Sequence, residues 1–306
     1  MREYEDSDAD IREYAKQVSD AIKNASHLVV YTGAGVSTSA KIPDYRGPQG
    51  AWSVRDYGTQ QTGNKKQLDE ASPTYTHYAL TELAKRGYLK FLISTNLDGL
   101  HLRSGFPTDI ISEMHGNCYK EICYACDKIY LRSFNVLKTR SDRWTHLTGR
   151  FCTECGAELK DTIAHFTENI YKKEYESSEK HARKADIALI LGTSMFVQPA
   201  ASLPYKTLDL EGGKIFLVNL QRTPIDHLCT KIYSETDKLM KLVMQNLGIE
   251  VFDTSYDLRD LLEERERALA AEENRKQKWK LISYVALVGV LVGTAGLGYL
   301  KYKKSN

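Results

Sequence analysis

Four cysteines carry the plainest chemistry in this chain. Cys123 and Cys126 form one C-x-x-C pair and Cys152 and Cys155 a second, with 25 residues between the pairs. Each pair can present two thiolates from one turn, and four thiolates complete a tetrahedron around zinc. Protein would then fill every coordination position, so no water could be activated and such an ion would be structural. A redox-active pair is the alternative reading of the same spacing. Cys118 and Cys229 are left over as packed thiols.

A second group sits at Gly33, Ala34 and Gly35, where the apolar run LVVYT meets a glycine turn. Backbone N–H groups there, opening a helix, can cradle a pyrophosphate. Thr38 occupies the third glycine position of the dinucleotide fingerprint, and no clear acidic residue ends a second strand to hold a ribose. A plain strand-to-helix turn therefore stays open. The charged, breaker-rich IPDYRG follows directly. His115, in EMHGNCY, is a lone histidine, and a lone histidine is most often structural. Its place after TNLDGLH and just before the first cysteine pair sets it apart.

These groups need elements to position them. ADIREYAKQVSDAIKNA predicts an amphipathic helix with Ile11, Ala15, Val18 and Ile22 on one side. HLVVYTG, KFLIST, ADIALILGTS and GKIFLVNLQ are apolar runs that predict buried strands. SPTYTHYALTELAKRGYL predicts a helix entered at Ser72-Pro73 and closed near Gly87. Buried strands alternating with helices predict an α/β fold: a Rossmann-like parallel sheet with helices on both faces. Ligands bind such sheets beyond the carboxyl ends of the strands, so TGAG, TNLDG, GTS and VNLQ should converge on one crevice. The cysteine-bearing stretch 118–160 reads as an inserted zinc-binding module.

The 306 residues, with a net charge of +2, allow one large domain or two smaller ones. Near-neutral charge and an acidic start, MREYEDSDAD, argue against direct nucleic-acid binding. That start also lacks the basic and apolar parts of a signal peptide, so the cysteines read as reduced thiols or metal ligands. Residues 281–300 form an uncharged run flanked by basic residues. As a helix it would span about 30 Å, which predicts a transmembrane segment. Only six residues follow it, which predicts a C-terminal tail anchor with the catalytic domain facing the cytosol. The mitochondrial outer membrane, endoplasmic reticulum and nuclear envelope all fit. Gly289 and Gly293 have the spacing that supports weak helix-mediated homodimerisation. The expected organisation is an acidic arm and helix (1–26), a catalytic domain (27–250), a charged juxtamembrane segment (251–280), the span (281–300) and a basic tail (301–306).

Taken together, GAGVSTSAKIPDYRG, NLDGLH, HGN, the paired C-x-x-C, GTS and VNLQ resemble the sirtuin family of NAD-dependent protein deacylases, in the family's order. The resemblance covers about His27 to Met240. DYRGPQGAW, SEMHGN and the TGR-to-HF stretch look closest to the class containing sirtuins six and seven. It implies release of nicotinamide, O-acyl-ADP-ribose and free lysine from NAD and an acylated protein lysine, around one structural zinc. By match, His115 is the base, with Asn96 and Asp98 holding nicotinamide and ribose. Gly33, Ala34, Gly35 and Ser37 would face the pyrophosphate, with Asp44, Tyr45 and Arg46 in a closing loop. Gly192, Thr193 and Ser194 would line the phosphate and ribose side, Asn219 the adenosine ribose, and Thr236 the adenine. Phe166 and Val197 would form the acyl-lysine tunnel.

Two departures stand out. Thr95 replaces the family's usual Gln, and Thr167 stands where Gly is common. They keep two alternatives in view: mono-ADP-ribosyl transfer to protein, and a catalytically weak NAD or acyl-lysine sensor.

Overall fold

The computed structural model describes residues 2–44, 68–140 and 144–253. Chain contacts group Met1–Leu258 as one unit and Arg259–Asn306 as another, the second lying wholly outside the described residues. Tyr45, Arg46 and residues 254–306, with the segments expected to be juxtamembrane and membrane-spanning and with Gly289 and Gly293, also lie outside them. Among the described residues, no helix is long and apolar enough to cross a membrane.

The chain begins with helix α1 (Asp8–Asn24), strand β1 (Leu28–Thr32), helix α2 (Tyr75–Lys85) and strand β2 (Leu89–Ser94). A short helix α3 (Leu100–Arg103) leads to β3 (Ile111–Glu113). The inserted module carries β4 (Lys120–Ile122), β5 (Ile129–Leu131), β6 (Leu147–Phe151) and β7 (Glu158–Asp161). Then come α4 (Lys172–Ala182), β8 (Ile187–Leu191), β9 (Lys214–Val218), β10 (Thr230–Ile232) and α5 (Thr236–Leu247).

The main sheet has the order β10-β9-β8-β1-β2-β3, and every pair is parallel. The chain lays β2 and β3 on one side of β1, then crosses back to lay β8, β9 and β10 on the other. β1 and β8 therefore flank the switch point, where such sheets open a crevice. Every residue of both strands is buried, as continuous apolar runs covered on two faces require.

Alternation along the strands divides the core. Leu28, Val30, Leu92, Leu189 and Val218 pack with Ile11, Ile22, Leu83, Leu239 and Val243 from α1, α2 and α5. Val29, Tyr31, Phe91, Ile190 and Leu217 pack on the opposite face with Ala182 and the 3-10 turns of Ala200–Asp209. The predicted apolar stripe of α1 is buried at all four positions.

The acidic arm is tied to the sheet. Tyr4 N donates to Leu220 O (2.8 Å), Asp6 N to Tyr233 O (2.8 Å), and Tyr233 N to Asp6 Oδ2 (2.8 Å). Lys238 on α5 pairs with Glu5 and Asp8 at 2.7 and 2.8 Å. Compensation by basic partners is what net acidity in a short segment conceals.

The insertion is a four-stranded antiparallel sheet, β5-β4-β7-β6. Glu121 is fully buried between Arg132 and Arg150, whose Nε lies 2.6 Å from Glu121 Oε1. Two guanidinium partners offset the cost of burying that carboxylate.

Candidate active site

At the carboxyl ends of β1 and β8 lies a cavity of about 970 Å³. Two glycine turns form its wall. Gly35 N donates to Gly192 O (2.8 Å), Gly33 N to Leu191 O (3.1 Å) and Gly192 N to Val218 O (2.9 Å). A Cβ on Gly35 would lie 2.6 Å from the Gly192 Cα, and Gly192 has φ +61°. Only glycine lets these two backbones touch. The segment after β1 is a 3-10 helix, Ala34–Ala40, ended by Lys41 in the left-handed region (φ 66°). Gly33, Ala34, Gly35, Asp44, Thr193, Ser194 and Asn219 all line the cavity.

Ser37, Asn96 and Asp98 are buried and are not among the lining residues. They form one cluster. Ser37 Oγ donates to Asp98 Oδ2 at 2.7 Å, Asn96 Nδ2 reaches Ser37 Oγ at 3.4 Å, and Asp98 Oδ1 accepts from Leu100 N at 2.9 Å. Asp98 thus shapes the turn into α3 and anchors Ser37 at once. Asn96 Oδ1 is buried and has no hydrogen-bond partner among the described residues. A buried orphan acceptor costs about 1–3 kcal/mol, so its retention points to a ligand donor. Together with the glycine cradle, this orphan fits a nicotinamide dinucleotide.

Thr95 uses its hydroxyl locally: Oγ1 donates to Thr32 O at 3.1 Å, the same carbonyl that accepts from Thr95 N. At this departure from the family's Gln, the side chain thus serves as a strand-end tie.

His115 lines the cavity, half-buried, in the turn after β3. Burial pushes its imidazole below the ordinary value of 6.5, and a hydrogen bond with the Thr95 backbone pulls the other way. Its turn is held rigidly. Gly116 has φ +87°, and a Cβ there would sit 2.0 Å from Thr162 O. Asn117 Nδ2 donates to Glu113 Oε1 (2.7 Å), while Asn117 Oδ1 accepts from Tyr119 N (2.8 Å). Burial raises the Glu113 carboxyl, and Lys120 and Asn117 counter that shift. The Gly-Asn that follows His115 is thus a device for aiming it.

Phe166, Thr167 and Val197 also line the cavity. Thr167 has φ +76°. A β-branched residue in the left-handed region is strained, which is why glycine suits this position. Thr236 opens α5, buried, outside the lining residues.

In the inserted module, Cys123 and Cys155 Sγ atoms lie 3.4 Å apart, those of Cys126 and Cys152 3.5 Å, and all four fall within 4.8 Å. None is in a disulfide. Zinc–sulfur bonds of about 2.3 Å in a tetrahedron need sulfurs at this kind of spacing, so the set fits one structural zinc.

The model of the Sir2 family matches residues 59–199. The chain is 43% identical over 239 residues to "NAD-dependent protein deacetylase SRT1" of Arabidopsis thaliana, covering 77% of this chain and 50% of that protein. It is 40% identical over 263 residues to the rat (Rattus norvegicus) "NAD-dependent protein deacetylase sirtuin-7", covering 80% and 62%. A "NAD-dependent protein deacetylase" of Thermodesulfovibrio yellowstonii is 32% identical over 262 residues, covering 80% of this chain and all of that one. The chain belongs to the Sir2 family. It spans between half and about three fifths of the length of the plant and rat relatives. A solved structure titled "Sir2-p53 peptide-NAD+" superposes with TM-score 0.59 at 28% identity, covering 77% of this chain and 99% of that one.

In this Sir2 domain, then, the cavity gathers the expected glycines, Asp44, Thr193, Ser194, Asn219, His115, Phe166 and Val197, with Ser37, Asn96 and Asp98 buried outside its lining. Sequence reasoning passed over Gln221, His165 and Glu168, which also line it. VNLQ contained Gln221, and HFTEN contained the other two.

Proposed function

We propose that this chain is an NAD-dependent protein lysine deacylase of the sirtuin type, of the kind found in the sirtuin-six and sirtuin-seven class. One observation carries the reading: His115 lines the same cavity as the glycine cradle, Phe166 and Val197. NAD, when bound, supplies an anomeric carbon from which nicotinamide can leave and which can accept the acyl oxygen.

The chain's own residues do the rest. Gly33, Ala34, Gly35 and Gly192 would hold the pyrophosphate through backbone contact, with Gly33, Gly35 and Gly192 letting the two turns close against each other. Asn96 Oδ1 offers an acceptor to an amide N–H. Asp98, fixed by Ser37 and Leu100, orients the ribose side. His115, neutral at pH 7 because its pKa is lowered, takes a hydroxyl proton at the ring nitrogen that Thr95 leaves free. Phe166, 63% exposed, and Val197 would line the path of the acyl-lysine. Curated relatives named as NAD-dependent protein deacetylases support this assignment.

Incubating the full chain with ribose-labelled NAD and a panel of acyl-lysine peptides tests it. Deacylation puts the label in soluble O-acyl-ADP-ribose. Label on protein instead would replace it with ADP-ribosyl transfer.

The same proposal places the chain at a membrane. The uncharged run 281–300, flanked by basic residues, supports a span with the catalytic domain on the cytosolic side. Fractionation of cells expressing the full chain, and one lacking 281–306, reads this out. Membrane pelleting of the full chain alone is expected; a full chain left in the supernatant contradicts it.

A further inference from the structure

Two cavity-lining residues, His165 and Glu168, and the neighbouring His146 bring ring nitrogens and a carboxylate oxygen within 4.8 Å of one another. None of the three has a part in the chemistry described above. His146 Nδ1 lies 2.9 Å from Asp161 Oδ1, and Asp161 is buried, also meeting Arg140 Nη1 (3.3 Å) and Ile163 N (3.0 Å). A carboxylate only accepts, so Nδ1 must carry the hydrogen. In the neutral ring that leaves the Nε2 lone pair facing Glu168 Oε1 at 3.1 Å. Two acceptors then meet, unless a proton or a cation joins them.

His165 shows the same deficit. Its Nε2 is buried and has no hydrogen-bond partner among the described residues. Its ring lies 5.2 Å from that of His146, centroid to centroid. Glu168 is held in place because its Oε2 accepts from His165 N at 2.8 Å. A carboxylate orienting a histidine whose far nitrogen faces a second histidine and a glutamate is the arrangement of a metal site with its supporting partner.

We propose that His146 Nε2, the His165 imidazole and Glu168 bind one divalent transition-metal ion, distinct from the tetrathiolate site. Imidazole and carboxylate donors suit zinc, and three protein ligands leave a fourth position to water. Asp161 is the positioning carboxylate. The ion would pin the turn containing Phe166 and the strained Thr167 against the edge of the inserted module.

Zinc added to the full protein, its four-cysteine site already filled, tests this by equilibrium dialysis with metal analysis. One further zinc per chain is expected. His146→Gln and His165→Gln should each weaken that second ion at least tenfold, with the first zinc and the far-ultraviolet circular dichroism retained. Cobalt replacement gives an independent reading: the second ion should add visible d–d absorption without new thiolate charge-transfer bands. One zinc per chain in the unaltered protein would show that His146 is simply an imidazolium between two carboxylates, and would overturn the proposal. A second ion of unchanged affinity in both variants would overturn it equally, as would new thiolate bands.

Discussion

The Ser37 hydroxyl donates to Asp98 Oδ2 across 2.7 Å, joining the turn after β1 to the loop after β2 with both groups buried. The turn after β1 and the loop after β2, which the proposed function gives to the pyrophosphate and the nicotinamide ribose, are thereby tied to each other. Ser37→Ala removes the donor and leaves a buried carboxylate oxygen short of a partner, at a cost of about 1–3 kcal/mol. The expected result is a KM for NAD raised roughly tenfold with a smaller change in kcat, together with a lower melting temperature. Steady-state kinetics and thermal denaturation check it. An unchanged KM for NAD would remove Ser37 from the account.

Thr167 at φ +76° should gain from losing its side chain. Thr167→Gly is expected to stabilise the fold by about 1 kcal/mol, the strain relieved exceeding the added entropy of the unfolded chain. Denaturant unfolding measures the difference. A destabilised variant would show that the hydroxyl or methyl holds the turn.

Burial sets the sign of the pH response at His115. A base whose pKa is lowered below 6.5 remains unprotonated through that pH and is lost only in more acid solution. The acid limb of kcat/KM for the acyl peptide should therefore fall below pH 6.5. A half-point above 6.5 would contradict the assignment.

His77 makes a stability prediction. It is fully buried, its Nδ1 accepts from Thr74 N at 3.2 Å, and desolvation pushes its pKa down to about 3. The unfolded chain takes up this proton near 6.5 and the folded chain does not. Stability from this group is thus present above 6.5 and declines as pH falls towards 3. Between pH 7 and 5 the loss is about 2 kcal/mol. Urea midpoints at the two pH values should show it, and His77→Asn should lose about one proton of that slope. An identical slope in the variant would rule His77 out.

Much of this was legible from residue order. Apolar runs ending in TGAG, TNLDG and GTS gave the parallel sheet and its crevice, because two-sided burial leaves no alternation to misread. The cysteine spacing gave the thiolate cluster, because two turns suffice to set four sulfurs. The antiparallel sheet under that cluster was not legible: its strands run to only three to five residues, and buried Glu121 reads as a surface charge until Arg132 and Arg150 fold over it. Nor was the tie between the acidic arm and Leu220 and Tyr233, since contacts across more than two hundred residues leave no local pattern. The left-handed backbone at Thr167 was signalled only through the resemblance, which puts glycine at that position. The residue type alone, threonine, gives no such sign.

The central claim is proton removal by His115, and one substitution addresses it. His115→Tyr should keep the fold and the tetrathiolate zinc while formation of O-acyl-ADP-ribose from NAD and an acyl-lysine peptide falls by at least a hundredfold. Product formation at the unaltered rate would contradict the account.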